Sequence, residues 1–238
     1  MLKEFLEKIE SMVGAKLHEI HGRNYADRQV HLVAPPPQVQ TLELLTLSGL
    51  VQAIHAEIDQ LDPRAWLVHV RDHQMVQVVM RETDEYGQRL TVLRVRLADG
   101  ETFPFGRFLD REEFVIGLLS RFVPDAALDE LLKQASTLTA ERVEIAEDDG
   151  ISQRATVRQG VALKDKATVK RRVLLKPYRT FREVAQPSSE FVFRLRSQDG
   201  QVPTCALFEA DGGAWKLEAA TTIKTWLDGQ GLNIPVVL

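Results

Sequence analysis

The sequence predicts an α+β fold made mostly of antiparallel sheets, with about five helices. Segments with β-branched or alternating apolar residues follow one another closely, joined by turn signals such as Asp99-Gly100 and Asp148-Asp149-Gly150. Consecutive strands without a helix between them favour antiparallel pairing. Apolar residues at helical spacing predict one helix at each end of the chain and three helices between them.

The first forty residues begin with an amphipathic pattern. Residues 2–13 place apolar side chains at helical spacing, with Lys and Glu between them, and Gly14 stops the predicted helix. Two short strands are expected over residues 15–20 and 30–33. The polar residues 22–27 between these strands predict a turn.

The next segment combines one helix with a strand hairpin. Thr46 or Ser48 caps a helix that is expected to run to about Leu61. Residues 82–89, which include Gly87, predict the turn of an antiparallel hairpin. Strands are expected over residues 66–70, 75–80 and 90–97.

Two adjacent helices are predicted after residue 109. Asp110 and Glu113 have the spacing of a capping box, and Pro124 ends the helix that this box begins. Asp125 caps the second helix. Apolar side chains predicted to face the core are Phe114, Leu118 and Phe122 in the first helix, and Leu128, Leu131 and Leu132 in the second.

Strand patterns dominate after about residue 138. Residues 141–147 and 151–157 predict a hairpin whose three-residue loop places Glu144 opposite Arg154 and Val143 opposite Ala155. Further strands are expected over 173–175, 191–195 and 205–208. A last helix over 215–227 is expected to bury Trp215 and Trp226. The pattern predicts two regions, 1–137 and 138–238, or one continuous domain.

Composition excludes several classes of protein. The chain is 44% hydrophobic and 27% charged, which is ordinary for a globular protein, and its net charge of −4 argues against general duplex binding. The charged N-terminus lacks the uncharged core of a signal peptide, so a cytoplasmic location is expected. The one cysteine, Cys205, lies in an apolar run and is expected to be a buried structural thiol.

No motif assigns a chemistry. The sequence has no phosphate-binding glycine loop and no nucleophile elbow. His18 and His21, and likewise His69 and His73, have spacings seen in metal sites. On a strand, however, His18 and His21 face opposite ways, and no matching Cys or acid cluster accompanies either pair. We therefore expect no metal and no cofactor, and the pattern leans away from an enzyme. Gly212-Gly213 before the last helix is expected to be a turn rather than an anion-binding nest. Catalysis by distant carboxylates that meet in space is left open.

The most informative segment is a basic ribbon, residues 164–182, which carries eight basic residues and one acidic residue in an acidic protein. Pro177 ends regular strand pairing, so the residues after it are expected to form an irregular surface segment. Arginine clamps phosphate and aromatic rings stack on bases, which predicts a phosphate or nucleotide site. The candidate residues are Arg171, Arg172, Lys176, Tyr178, Arg179, Phe181 and Arg182. A solvated sheet edge or an oligomer contact is the alternative.

The C-terminal half resembles a family of phage and prophage proteins, the YfdQ-like group. The resemblance rests on LLKPYRTFREVAQPSSEFVFRLR and CALFEADGGAWKLEAATTIKTWL, and extends over residues 105–227 through FGRFLDREEF and DDGISQRATVRQGVAL. It implies a phage origin and a setting of DNA metabolism or host takeover, in the cytoplasm of the bacterial host. It implies no particular functional residues.

Three functions fit these observations. The first is a non-catalytic binding protein for a phosphate-bearing ligand: a nucleotide, including a host immune signal held as a sponge, or a nucleic-acid end. The alternative is a structural or interaction protein without a small-molecule ligand, and the third is an unrecognised nucleotide-processing enzyme.

A homo-oligomer is expected because strand residues such as Val76, Val78 and Val79 offer apolar side chains to both faces of a sheet.

Overall fold

The computed structural model describes residues 3, 17–20, 23–26, 40–56, 61–83, 87–98, 100, 102–140, 142–148, 153–159, 162–169, 172–196 and 203–238. The chain forms two compact units, Met1–Gln40 and Thr41–Leu238. The fold is α+β. The described helices are α1 (Leu47–His55), α2 (Arg111–Arg121), α3 (Ala126–Ala140) and α4 (Trp215–Asp228). None of the helices in these ranges is long and apolar enough to cross a membrane.

Most of the described residues of the first unit form two short strands, β1 (Leu17–Ile20) and β2 (Arg23–Ala26), which pair antiparallel. The expectation of a turn over residues 22–27 was wrong, because most of that stretch forms β2. Tyr25 suits a strand, and pairing with β1 supplies the backbone with hydrogen bonds that a polar loop would take from water. The predicted helix over residues 2–13 and the predicted strand over residues 30–33 lie outside the described residues, apart from Lys3.

The second unit contains a mixed five-stranded sheet, formed by β3 (Leu42–Leu44), β4 (Trp66–Asp72), β5 (Met75–Met80), β6 (Thr91–Arg96) and β13 (Val236–Val237). Its spatial order is β13-β4-β5-β6-β3. The predicted hairpin is confirmed, because β5 pairs antiparallel with β6 and also with β4. At the two edges of the sheet, β3 pairs parallel with β6 and β13 pairs parallel with β4.

Helices α1 and α4 cover this sheet and complete one hydrophobic core. Thr46 caps α1 as predicted, with its side chain accepting from the amide of Gly49 at 3.0 Å, and the helix ends at His55, short of Leu61. This core contains Leu50 of α1 and Ile223 of α4, both fully buried. Residues Val76, Val78 and Val79 of the central strand are buried within the chain. They therefore give no reason to expect an oligomer, and the homo-oligomer stays a prediction.

Helices α2 and α3 begin at the predicted caps. The carboxylate of Asp110 accepts from the amide of Glu113 at 2.8 Å, and that of Asp125 accepts from the amide of Leu128 at 2.9 Å. The predicted inward residues Phe114, Leu118, Phe122, Leu128 and Leu131 are buried, and Leu132 packs against them.

These two helices pack on an antiparallel three-stranded sheet, β10 (Arg172–Leu175), β11 (Ser189–Arg196) and β12 (Thr204–Glu209). Phe191 and Phe193 of β11 are fully buried in the resulting second core. Cys205 is fully buried there, as predicted, and desolvation raises the pKa of its thiol to about 12.

The remaining sheet contains β7 (Arg142–Asp148), β8 (Gln153–Gln159) and β9 (Ala162–Val169), all antiparallel. The predicted register was wrong, since Glu144 pairs with Thr156 and Ile145 with Ala155. A register shift between Ile145 and Glu147 inserts one extra residue into β7, and four residues separate the paired Asp148 and Gln153. Loop-length reasoning cannot anticipate a bulge inside the strand.

The predicted boundary after residue 137 lies inside α3 and inside the second unit. Each core takes residues from both sides of that boundary. Val68 and Phe181 share one core, and Phe114 and Phe193 share the other.

Candidate functional site

A pocket of about 320 Å³ lies at one end of the basic ribbon. Four of its lining residues are arginines, Arg96, Arg121, Arg179 and Arg182, and none of the described lining residues is acidic. Arg179 and Thr180 are buried and form the floor. The other lining residues are Gln74, Leu97, Ala98, Gly100, Thr102, Ser120 and Tyr178.

One wall forms where the chain after β10 runs beside the end of α2. The amide of Tyr178 donates to the carbonyl of Arg121 at 2.9 Å, and the amide of Val123 donates to the carbonyl of Lys176, also at 2.9 Å. Pro177 sits between these two bonds, where its missing N–H leaves no donor unpaired. The pairing sets Ser120 and Arg121 next to Tyr178.

A second wall comes from the five-stranded sheet. The Thr180 hydroxyl donates to the carbonyl of His73 at 2.6 Å, which ties the ribbon to the turn between β4 and β5. The amide of Leu97 donates to the carbonyl of Gln74 in that same turn at 2.9 Å. These two bonds place Arg96, at the end of β6, beside the ribbon.

The side chain of Gln186 holds the floor in shape. Its carbonyl oxygen accepts from the amides of Arg179 and Thr180, at 2.9 and 3.2 Å. Its amide group donates to the carbonyl of Phe181 at 2.9 Å. One side chain therefore pairs backbone groups that a buried loop would otherwise leave without partners.

Arg179 is a buried arginine with partners on three sides. Its guanidinium donates to the carboxylate of Glu209 and to the hydroxyl of Ser189. Its central carbon lies 3.9 Å from the centroid of the Trp215 ring. Among the described residues its Nε has no hydrogen-bond partner. Burial lowers the pKa of Arg179 while Glu209 and Asp211 oppose that shift, and an arginine in such surroundings stays charged.

Two neighbours of Arg179 have displaced pKa values. Desolvation favours the neutral form of Asp211, but hydrogen bonds from Ser189 and Gly213 and the charge of Arg179 lower its pKa overall. For His73, which packs edge-on against Trp215, desolvation lowers the pKa first; Asp72 opposes this, and Lys216 and Arg179 add to it.

Arg182 and Tyr178 form a stacked pair at the rim. The guanidinium carbon of Arg182 lies 3.4 Å from the centroid of the Tyr178 ring. This stacking orients an exposed arginine at the pocket mouth and occupies one face of the tyrosine. A base could stack on Tyr178 only at its opposite face.

The structure separates the residues that the sequence grouped in one ribbon. Tyr178, Arg179 and Arg182 line the pocket, and Arg171 lies outside the described residues. Arg172 projects elsewhere from β10 and pairs with Glu190 at 3.1 Å. Lys176 lies 3.9 Å from the carboxylate of Asp125.

The expectation of an irregular surface segment after Pro177 was wrong for Phe181 and Arg179. Phe181 is 1% exposed and belongs to the core under the five-stranded sheet. Arg179 is 7% exposed, because its charge is neutralised by Glu209 within the fold. Burial against two sheets, which the local pattern does not record, accounts for both differences.

Sequence reasoning missed Arg96, Arg121, Ser120 and Thr180. Arg96 is the last residue of β6 and Arg121 is the last residue of α2, and each looks like an ordinary solvated residue in its own segment. The only available signal was that both are basic and lie at element ends, where ligand sites concentrate.

Gly212 and Gly213 form the predicted turn. Both have positive φ, 63° and 83°, which favours glycine. The amide of Gly213 donates to the carboxylate of Asp211 at 3.0 Å, so the chain's own carboxylate takes a donor that an external anion would need.

The comparisons with known proteins add no relative: no family model, no curated protein and no solved structure matches this chain.

Proposed function

We propose that this protein binds a small phosphate-bearing ligand, without catalysis, in the arginine-lined pocket. The observation that carries the proposal is the convergence of four arginines from three segments of the chain on one pocket whose described lining has no acidic residue. Guanidinium groups prefer phosphate and carboxylate oxygens, which they bind through paired hydrogen bonds.

The dimensions of the pocket favour a small ligand over a polymer. A volume of about 320 Å³ is at the lower end of the range for small-molecule sites, about 300–1,000 Å³. That space suits one nucleotide or the end of a strand. The net charge of −4 over the whole chain supports the same choice, because a long nucleic acid would meet repulsion outside the pocket.

The resemblance to phage proteins suggests the setting. In a phage-infected cell, a nucleotide-binding protein without catalytic groups would act by sequestration, and a host immune signal is one such target. The closest alternative ligand is a nucleic-acid end during phage DNA metabolism.

Calorimetric titration at two salt concentrations tests the proposal with mononucleotides, cyclic dinucleotides, ADP-ribose and short single strands. Arg182→Ala should weaken binding at least about tenfold, or about 1.4 kcal/mol. Arg172→Ala is the matched control, because Arg172 is an exposed ribbon arginine that does not line this pocket. A small ligand should lose less affinity with salt than a strand does. No binding to any of these compounds would remove the proposal.

A homo-oligomeric interaction protein is the second candidate. Ile116 and Leu119 lie three residues apart on α2 and are 55% and 61% exposed, which places two large apolar side chains on one helix face. Light scattering coupled to size exclusion tests this candidate. An oligomer that Ile116→Lys dissociates, in a protein that binds no phosphate compound, would favour it over the first proposal.

A further inference from the structure

The polar groups that line the pocket also indicate which kind of chemical group carries the phosphate of the ligand. Building on the proposed function, we infer that the ligand is a sugar phosphate, free or as the ribose phosphate of a nucleotide, rather than a phosphate on a bare carbon chain. Two features of the pocket carry this inference: hydroxyl groups whose protons are already used, and exposed guanidinium donors beside them.

The hydroxyls of Ser120 and Thr180 can only accept from a ligand. Ser120 Oγ donates to the carbonyl of Ile116 at 2.7 Å, and Thr180 Oγ1 donates to the carbonyl of His73 at 2.6 Å. A hydroxyl has one proton and two lone pairs, so each of these oxygens presents lone pairs alone. A phosphate dianion has no proton to offer them, whereas a sugar hydroxyl has one.

The donors that a ligand can reach in this pocket belong to its exposed arginines. Arg179 lines the floor, but its guanidinium is already paired with Glu209 and Ser189 inside the fold. Arg96 and Arg182 are exposed, and their guanidinium groups bind the phosphate at the rim.

Acceptors and donors therefore line the pocket together. A sugar phosphate matches both, because each sugar hydroxyl donates one hydrogen bond and accepts others beside an anionic group. A cationic ligand with amino donors would satisfy the hydroxyls but would be repelled by the arginines.

The test compares ribose 5-phosphate with methyl phosphate, which has the same anionic group and no hydroxyl. Calorimetry should give at least tenfold tighter binding of ribose 5-phosphate. Ser120→Ala should weaken ribose 5-phosphate about 2–10-fold, the loss of one hydrogen bond, and change methyl phosphate by less than twofold. Thr221→Ala is the matched control: its hydroxyl donates to the carbonyl four residues back, at 2.9 Å, and it does not line the pocket.

The outcomes separate this inference from the proposed function. If neither compound nor any nucleotide binds, the proposed function fails. If both compounds bind equally and Ser120→Ala changes neither, the pocket is an anion site and only the sugar-phosphate inference is overturned. Equal losses from Ser120→Ala and Thr221→Ala would trace the effect to the helices and would also overturn it.

Discussion

The guanidinium of Arg179 stacks on the ring of Trp215, with 3.9 Å between the guanidinium carbon and the ring centroid. This contact joins the ribbon to the first residue of α4. The same guanidinium reaches Glu209 and Ser189 on β12 and β11. Arg179 therefore supports the floor of the pocket and links the three-stranded sheet to α4, so its structural and binding roles must be tested separately.

Replacing Arg179 with alanine should cost stability, whereas Arg182→Ala should not. Removing one partner of a buried ion pair typically costs about 3–5 kcal/mol, and the partial exposure of Glu209 places the expected loss near 3 kcal/mol. Arg182 is exposed, so its loss should change the free energy of unfolding by less than about 0.5 kcal/mol. Urea unfolding measures both. Equal stability of the two variants would contradict the assigned role of Arg179.

The two tryptophans of α4 should contribute different amounts to the stability of the protein. Trp215 is buried and Trp226 is half-buried, although the sequence placed both in the core. Trp215→Ala should destabilise the protein by about 3–5 kcal/mol, and Trp226→Ala by less, because less apolar surface is lost from the core. Fluorescence of single-tryptophan variants provides a second check. A red-shifted, water-exposed spectrum from Trp215 would contradict its burial.

Stability should fall as the pH decreases below about 6.5. Because the pKa of folded His73 is below the ordinary value of 6.5, the unfolded chain binds this proton first and is stabilised relative to the folded state. The contribution of one histidine has a limiting slope of about 1.4 kcal/mol per pH unit. His73→Gln should reduce the slope of unfolding free energy between pH 6.5 and pH 5, and an unchanged slope would show that another group is responsible. The lowered pKa of Asp211 acts below about pH 4, so the two windows are distinct.

Cys205 should be unreactive in the folded protein. Its thiol is fully buried and its pKa is raised to about 12, so almost no thiolate is present at neutral pH. Thiol reagents should label it only after denaturation, at a rate that follows global unfolding. Rapid labelling at pH 7.5 without denaturant, measured by mass spectrometry, would contradict the burial of this thiol.

Local interactions were predictable from the sequence because the groups involved lie within one turn of each other. The caps at Asp110, Asp125 and Thr46 need only an acceptor and an amide three residues later. The strands of the β5–β6 hairpin and the burial of Cys205 followed from equally local patterns.

Only the tertiary structure determines which residues line the pocket and which residues of the basic ribbon are buried. Arg96, Arg121 and Arg179 lie far apart in the sequence, and long-range backbone bonds from Leu97 and Tyr178 bring their segments together. Phe181 and Arg182 are neighbours with similar local surroundings, yet one is in a core and the other at the pocket rim. A segment's charge pattern predicts an affinity for anions, but only packing between distant segments determines which of its charges face a ligand and which are neutralised inside the fold.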